Sequence, residues 1–292
     1  MGGWLKMNFV KGYPIEKLVD YIAELSNENK HRIEYMDNHL DSIRFELEQI
    51  AIENPDIETV YVAEEDGEIQ CLFVFDSSDD YTEVIGPFTK GYDITMIQKL
   101  FAFALDHLIP KVEHLEFAIN GDNAVALLFV EEIGAVLYEE NYVLVLPRES
   151  YKMKEATQVN VMNEHELDSV QQLFDRVFPE YRFNYYPETD VEEHLIQVTH
   201  NDESNVTGFV HTVVKEEFND GLISYLGVDE EYRKQGLGKE LMHAGLKTIF
   251  NHSDITEAYL RINVDEAYTE KFYESFGFEK SIHTKIYRLK LI

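Results

Sequence analysis

The stretch LGVDEEYRKQGLG, residues 226–238, determines how the whole chain is interpreted. An apolar, strand-like run from Leu222 to Val228 leads into a polar loop, and a helix is expected from about Gly236 to Phe250. The first turn of a helix carries backbone N–H groups without intrahelical partners, and glycines let a ligand approach them closely. The stretch therefore predicts an anion-binding cradle where this helix begins.

The charges around the predicted cradle support this interpretation. Arg233, Lys234 and Lys239 crowd a helix start, where the helix dipole favours acidic residues. The chain as a whole has 25 basic and 56 acidic residues, a formal charge of -31. Basic residues at a helix start bring no structural benefit, and such exceptions tend to occur at functional sites. A bound multivalent anion would explain why these three cations are there. The alternative is a solvated turn that carries its lysines by chance.

Two well-known phosphate-binding loops do not fit the stretch. A Walker loop requires Ser or Thr after its lysine, whereas Lys239 is followed by Glu240. A dinucleotide fingerprint requires a third glycine where Leu241 stands.

The stretch instead resembles the R-x-x-G-x-G signature of the GNAT N-acetyltransferase superfamily, with Arg233, Gly236 and Gly238 at the specified positions. A second motif follows in order: the strand-like residues 260–265, then a helix whose Tyr273 lies four residues before a Gly-Phe pair. The resemblance covers roughly residues 158 to 292. It implies that acetyl-CoA is the co-substrate.

The resemblance also implies a role for individual residues. Backbone amides would hold the CoA pyrophosphate at Gln235, Gly236, Leu237, Gly238 and Lys239, with Arg233 and Lys234 nearby. The backbone of Leu226 and Val228 would pair with the pantetheine arm, beside a bulge expected at Gly227, where a free N–H would stabilise an oxyanion. Tyr273 would protonate the leaving thiolate, or else simply pack in its helix.

The sequence departs from the family pattern in two places. Glu266 stands where an asparagine commonly contacts the cofactor, and Asn263 is the candidate to replace it. Leu222 stands where some members carry a glutamate base. The candidates for accepting the amine proton are then His211, Ser224 and Tyr225.

Other side chains in this half have weaker signals. His194 and His200 have no suitably spaced carboxylate, so no metal site is predicted. Four aromatic residues follow Pro179 and either line an amine pocket or pack the domain: Tyr181, Phe183, Tyr185 and Tyr186.

An internal repeat organises the chain. Residues 129–134 align with residues 272–277, and residues 115–119 with residues 258–262, both 143 positions later. We therefore predict an α/β (α+β) protein with two GNAT-like domains, each a mixed, mostly antiparallel twisted sheet flanked by helices. The predicted bounds are 1–147 for a degenerate copy, 148–157 for a linker and 158–292 for the catalytic domain.

The first copy lacks the features of a working site. Pro87 and a missing glycine interrupt its cradle segment, residues 86–93, and Val130 takes the position of Tyr273. Ahead of that segment, residues 15–54 are predicted to be helical from their apolar spacing, with Pro55 closing the region.

Composition narrows the choice of partners and location. The acidic surface argues against nucleic acid and membrane as partners, and it either favours a cationic amine or serves solubility alone. Cys71 is the single cysteine and is expected to be a buried thiol. The chain shows no apolar run long enough for a membrane span and no signal-peptide pattern, so a cytoplasmic protein is expected.

The expected function is transfer of an acetyl group from acetyl-CoA to a primary amine of a small molecule or peptide, by direct attack. The alternative is a non-catalytic module that binds acyl-CoA as a sensor or scaffold. The acceptor itself is not specified by the sequence, since function resides in the variable cleft.

Overall fold

The computed structural model describes residues 7–34, 36, 38–77, 81–107, 113–152, 154, 156–179, 181, 183, 193–215, 219–264 and 267–291. The chain divides into two compact units. The first comprises Met1–Tyr142 with Ile282–Ile292, and the second comprises Val143–Ser281. Among the described residues, no helix has both the length and the apolar character needed to cross a bilayer.

Helices and strands are interspersed along the described part of the chain, with runs of three consecutive strands in each half. The strands are β1 (Asn8–Lys11), β2 (Val60–Glu65), β3 (Glu68–Ser77), β4 (Thr82–Thr89), β5 (His114–Asn120), β6 (Val136–Pro147), β7 (Asn160–Val161), β8 (Glu193–His200), β9 (Val206–Lys215), β10 (Asp220–Val228), β11 (Glu257–Asn263) and β12 (Glu279–Lys290). The helices are α1 (Ile15–Ser26), α2 (Leu40–Glu53), α3 (Ile94–His107), α4 (Ala124–Glu132), α5 (Leu167–Val177), α6 (Leu237–Asn251) and α7 (Ala267–Glu274).

Each unit contains a mixed, mostly antiparallel sheet, as predicted. In the first unit the strand order is β1-β2-β3-β4-β5-β12, with β4 and β5 parallel. In the second unit the order is β7-β8-β9-β10-β11-β6, with β10 and β11 parallel. The last strand of the sequence belongs to the first unit because β12 pairs antiparallel with β5, from Thr284↔Asn120 to Lys290↔His114.

The compact units differ from the predicted domain bounds at both ends. The second unit begins at Val143, ahead of the predicted linker 148–157. Residues 282–292 lie with the first unit rather than with the predicted catalytic domain. Strand pairing explains the second difference, since a strand is placed by the neighbour to which it is hydrogen-bonded and not by its position in the sequence.

The 143-residue repeat is confirmed across four elements. A shift of 143 carries β5 onto β11, β6 onto β12, and the first residues of α3 and α4 onto those of α6 and α7. The shift also relates Gly134 to Gly277, which have positive φ angles of 82° and 97°. The same shift places Asp93 of the first copy at the position of Gly236.

The helical prediction for residues 15–54 was correct only at its ends. α1 and α2 form, but the chain between them is irregular, and Ile33 makes an isolated antiparallel bridge to Ile119 of β5. Ile33 is fully buried there. Burial against the sheet therefore takes precedence over the apolar spacing that suggested a continuous helix. Cys71 is fully buried in β3, as expected.

One arginine ties the start of the second unit to the end of α6. Arg148 Nε donates to the carbonyl of Ile255 at 2.7 Å and Nη1 donates to the carbonyl of Phe250 at 2.6 Å, while Nη2 donates to the carbonyl of His252. Its guanidinium also lies over the Phe250 ring. The carbonyls at a helix C-terminus lack intrahelical donors, so this side chain supplies them.

We expect Arg148→Lys to lower the free energy of unfolding by about 2–3 kcal/mol, because lysine cannot reproduce a planar fork of three charge-assisted bonds. Urea unfolding measures the change. Arg176→Lys is the matched control, since the exposed Arg176–Asp229 pair is worth less than about 1 kcal/mol. Equal losses in the two variants would contradict the role given to Arg148.

Candidate active site

Unbonded backbone amides lie at the start of α6, where the cradle was predicted. Gly236 is the N-cap residue, with φ 92° and ψ -8°, and it has no side chain to cap the helix. Its carbonyl accepts from the amides of Lys239 and Glu240 at 2.9 and 3.2 Å. Four backbone amides just before Lys239 donate to no group in the described part of the chain. They belong to Gln235, Gly236, Leu237 and Gly238. These donors and the positive end of the helix dipole suit an anion.

The loop before the helix is braced from below. Asp229 caps the short 3₁₀ turn Glu230–Tyr232 by accepting from the amide of Glu231 at 3.2 Å. Its other oxygen accepts from Arg176 at 2.8 Å, and this bond is the main reason that the pKa of the Asp229 carboxyl lies below its usual range. Lys234 then takes a left-handed φ of 63°, which turns the chain into the helix. These contacts of Asp229 therefore fix the conformation of the loop that leads into the cradle.

The three predicted cations occupy different positions. Arg233 Nε donates to the carbonyl of Val228 at 3.0 Å, which ties the loop to the end of β10. Lys234 and Lys239 are exposed, and neither has a carboxylate partner among the described residues. Both lysines are thus available to an anion at the cradle.

One edge of β10 is open where the pantetheine arm was expected. β10 pairs with β9 as far as Val228↔Gly208, but within the described residues it pairs with β11 only at Leu222↔Tyr259. The amide of Asp229 donates to Thr207 of the β9 side at 2.9 Å. Because hydrogen-bonding directions alternate along a strand, Leu226 and Val228 turn their backbone groups toward the open edge.

The bulge in β10 lies at Ser224, between Ile223 and Tyr225, and not at Gly227 as predicted. Gly227 keeps a regular pairing with Phe209. A Cβ at Gly227 would lie 2.7 Å from Cε1 of Phe209, so the glycine is required by ring packing beneath the strand.

Three elements converge beside the cradle. A Cβ placed on Gly238 would lie 3.6 Å from Cζ of Phe272 in α7 and 3.9 Å from Cγ2 of Val228 in β10. Tyr273 follows Phe272 and is 8% exposed, with its ring 5.2 Å from that of Phe272 and 5.9 Å from that of Phe278. Asn263 ends β11, which runs parallel to β10, so its position is at the same edge of the sheet.

The candidate proton acceptors are brought together around the bulge. His211 is the register partner of Tyr225, and their rings are stacked 6.4 Å apart, next to Ser224. His211 is 1% exposed, and its Nε2 lies 3.1 Å from Nδ1 of His194. Burial, and then the charge of His194, lowers the pKa of His211 to about 4. The ring is therefore neutral at pH 7, while burial raises the pKa of Tyr225, which stays protonated.

The histidine and aromatic predictions have mixed outcomes. His194 pairs with His211, a contact that the sequence analysis missed, whereas His200 Nε2 lies 2.5 Å from Oε1 of Glu166. No group of three or more metal-ligating side chains occurs in the portion of the chain described.

Phe183 packs 4.9 Å from Phe174 and 6.1 Å from His211. Residues 185, 186 and 266 lie outside the described residues.

In the first unit, a side chain caps the helix start that corresponds to the cradle of the second unit. The strand β4 runs through residues 86–89, so part of the predicted cradle segment is strand. At the start of α3, Asp93 Oδ1 accepts from the amide of Met96 at 3.0 Å. A carboxylate thus occupies the position that an anion would need, and Asp93 corresponds to Gly236 by the repeat.

These features define an anion-binding site where a helix begins, beside an open strand edge. Residues 160–278 match the model of the acetyltransferase (GNAT) family. A GCN5-related N-acetyltransferase from Sphaerobacter thermophilus matches with a TM-score of 0.68 at 15% identity, covering 97% of this chain and 95% of that one. A tandem GNAT protein from the clavulanic acid biosynthesis pathway matches with a TM-score of 0.67 at 13% identity, covering 98% of both chains.

A third structure is a GCN5-related glucosamine N-acetyltransferase region of a fungal multi-domain β-N-acetylglucosaminidase. It matches with a TM-score of 0.63 at 12% identity and covers 98% of this chain and 38% of that one. No curated protein matches the sequence significantly. At these identities the structural matches establish the fold alone, and the family match is confined to residues 160–278 in the second half of the chain.

We expect His211 to make the protein sensitive to acid. A histidine held neutral with a pKa of about 4 takes up no proton between pH 6.5 and 4, whereas the unfolded chain does, so stability is full above pH 6.5 and falls as the pH is lowered. Between pH 7 and 5 the loss from this group is about 2 kcal/mol. Urea unfolding of His211→Gln should show a shallower fall than the wild type over this range. The exposed His165→Gln should retain the wild-type slope, and parallel curves for His211→Gln and wild type would contradict the assignment.

Proposed function

We propose that the protein transfers an acetyl group from acetyl-CoA to a primary amine of a small molecule or peptide by direct attack. The observation that carries the proposal is the set of unbonded amides at residues 235–238, beside the open edge of β10. The sole cysteine, Cys71, is buried in the first unit, so a covalent cysteine route is not available to the second.

The residues present fit a CoA thioester. The amides at the start of α6, with Lys234 and Lys239 beside them, would hold the pyrophosphate. The outward-facing backbone of Leu226 and the amide of Val228, whose carbonyl accepts from Arg233, would hold the pantetheine arm as an added strand. Asn263 would contribute from the end of β11. Acetyl-CoA supplies an acyl group that is activated as a thioester. A backbone N–H on the open edge would stabilise the negative charge that develops on the carbonyl oxygen.

Tyr273 is the proposed general acid. Its ring is held between Phe272 and Phe278, beside the helix start that would hold the donor. A phenol with a pKa near 10 can return a proton to a thiolate whose pKa is near 8.5. The polar group of His211, Ser224 and Tyr225 at the bulge would carry the proton away from the amine.

The preference for an amine has two supports. The net charge of -31 raises the local concentration of cations at the surface. In addition, one structural relative is described as a glucosamine N-acetyltransferase region, which names an amine acceptor for that protein. The acceptor is otherwise open, and the test must survey polyamines, aminoglycosides, amino sugars, amino acids and peptides.

Calorimetric titration with CoA, followed by detection of thiol release from acetyl-CoA across that panel, tests the proposal. We expect measurable CoA binding and thiol release with at least one class of amine. Binding without release across the panel would favour an acyl-CoA sensor or scaffold. A failure to bind CoA or acetyl-CoA would overturn both functions.

Tyr273→Phe separates catalysis from packing at this position. If the hydroxyl donates the proton, kcat should fall by about 100-fold or more, while the Kd for CoA changes less than about twofold. Tyr287→Phe is the control, because Tyr287 is similarly buried but belongs to the first unit, and it should leave kcat unchanged. A large loss of CoA affinity in Tyr273→Phe would contradict the role.

A further inference from the structure

One asparagine closes the turn between β8 and β9, which contacts the loop that leads into the cradle. The amide of Asn201 donates to the carbonyl of Asn205 and its carbonyl accepts from the amide of Ser204, both at 3.0 Å. Its side-chain Oδ1 accepts from the amides of Glu203 and Asn205, at 3.0 and 2.9 Å. Ser204 takes a left-handed φ of 64° to complete the turn. These bonds fix both the backbone and the side chain of Asn201.

The same carboxamide reaches the loop before α6. Nδ2 of Asn201 donates to the hydroxyl oxygen of Tyr232 at 2.9 Å. The turn sets the direction of this bond, because two amide donors already hold Oδ1 and leave Nδ2 facing the tyrosine. Tyr232 is the last residue of the 3₁₀ turn, and its amide donates to the carbonyl of Asp229 at 2.9 Å. The β8–β9 turn is thus joined to the loop two residues before Lys234.

The segment that follows Tyr232 has a conformation that an unsupported loop would tend to leave. Residues 233–236 are exposed. Lys234 has a left-handed φ of 63°, which is unfavourable for a residue with a Cβ. Arg233 and Lys234 are adjacent cations that repel each other. The amides of residues 235–238 donate to no group in the described part of the chain. Contacts from other elements are therefore needed to keep these amides directed at a ligand.

Neighbouring elements supply such contacts at two points of the loop. At its start, the amide of Asp229 donates to the carbonyl of Thr207 at 2.9 Å, and its carboxylate accepts from Arg176 of α5. Three residues further on, the partly buried side chains of Asn201 and Tyr232 form the second anchor. A site binds its ligand in proportion to the fraction of molecules that have the competent conformation. An anchor next to the left-handed residue therefore controls affinity without touching the ligand.

We propose that Asn201 and Tyr232 are positioning residues, which hold the amides of residues 235–238 in the orientation that the pyrophosphate of the donor requires. The inference rests on the proposed function, because it takes that pyrophosphate to lie on the cradle. It adds the β8–β9 turn to the donor-binding machinery, through a single hydrogen bond between two side chains. The two residues act through the loop, so removing their bond lowers the affinity for CoA while the fold is retained.

Tyr232→Phe removes the hydroxyl and keeps the ring, and calorimetric titration of the full chain with CoA measures the effect. We expect the Kd for CoA to rise about three- to tenfold, since one hydrogen bond has a modest net worth. Asn201→Ala should give a similar rise, and the double variant should bind no more weakly than either single variant, because both changes remove the same bond.

Asn201→Asp is the conservative variant that should rescue binding. A carboxylate accepts from the turn amides and also from the tyrosine hydroxyl, so the turn and the anchor both persist. We expect its Kd for CoA to stay within about twofold of the wild type at moderate salt, which screens the added charge. Combined with Tyr232→Phe, the same substitution should show the full loss, because the phenylalanine ring has no hydroxyl to donate.

The matched control is Tyr21→Phe in the first unit, which also loses a hydroxyl bond, the 3.0 Å bond to the carbonyl of Gln70. It should leave the Kd for CoA unchanged, and circular dichroism checks that each variant is folded. An unchanged Kd in Tyr232→Phe would overturn the inference while leaving the proposed function standing. Additive losses in the double variant would also overturn it, since the two residues would then act separately. Absence of CoA binding to the wild type would instead overturn the proposed function.

Discussion

The site depends on hydrogen-bond donors that the protein itself leaves unbonded at the start of α6. The two copies of the fold show how one residue controls this. In the first copy Asp93 caps α3 by accepting from Met96, and in the second copy the corresponding residue is Gly236, which has no side chain. A carboxylate cap stabilises a helix by about 1 kcal/mol and repels an anion at the same place. The second copy forgoes that stability and keeps a cluster of donors directed at solvent.

Strand pairing leaves an open backbone edge on β10 next to these donors. The pairing of β10 with β11 at Leu222 and its continued pairing with β9 up to Val228 open a gap between two parallel strands. A ligand that enters such a gap can hydrogen-bond to the exposed backbone edge and reach the helix start at its end. The bulge at Ser224 lies at the point where the strands part. It places Tyr225 opposite His211 of β9, and the rings of these two residues stack.

Local features were predictable from the sequence, and pairwise tertiary features were not. The helix α6, expected from about Gly236 to Phe250, was placed correctly because helix-start signals and apolar spacing act within a few residues. The bulge was misplaced because strand register is set by the partner strand. The His194–His211 contact was missed for the same reason, as it joins β8 to β9. The irregular segment around Ile33 was missed because its burial depends on β5, far along the chain.

The charge distribution connects the donor and acceptor sides of the proposed reaction. An overall charge of -31 disfavours the approach of a polyphosphate, and at physiological salt that repulsion extends only about 8 Å from each charge. Binding a CoA-type ligand to such a surface therefore requires cations placed within that distance of its phosphates. Lys234 and Lys239, both exposed at the start of α6, are the cations that would meet this requirement for the proposed donor. The rest of the acidic surface would attract a cationic acceptor, so under the proposed reaction the negative net charge would favour the acceptor while the lysines at the start of α6 would bind the donor.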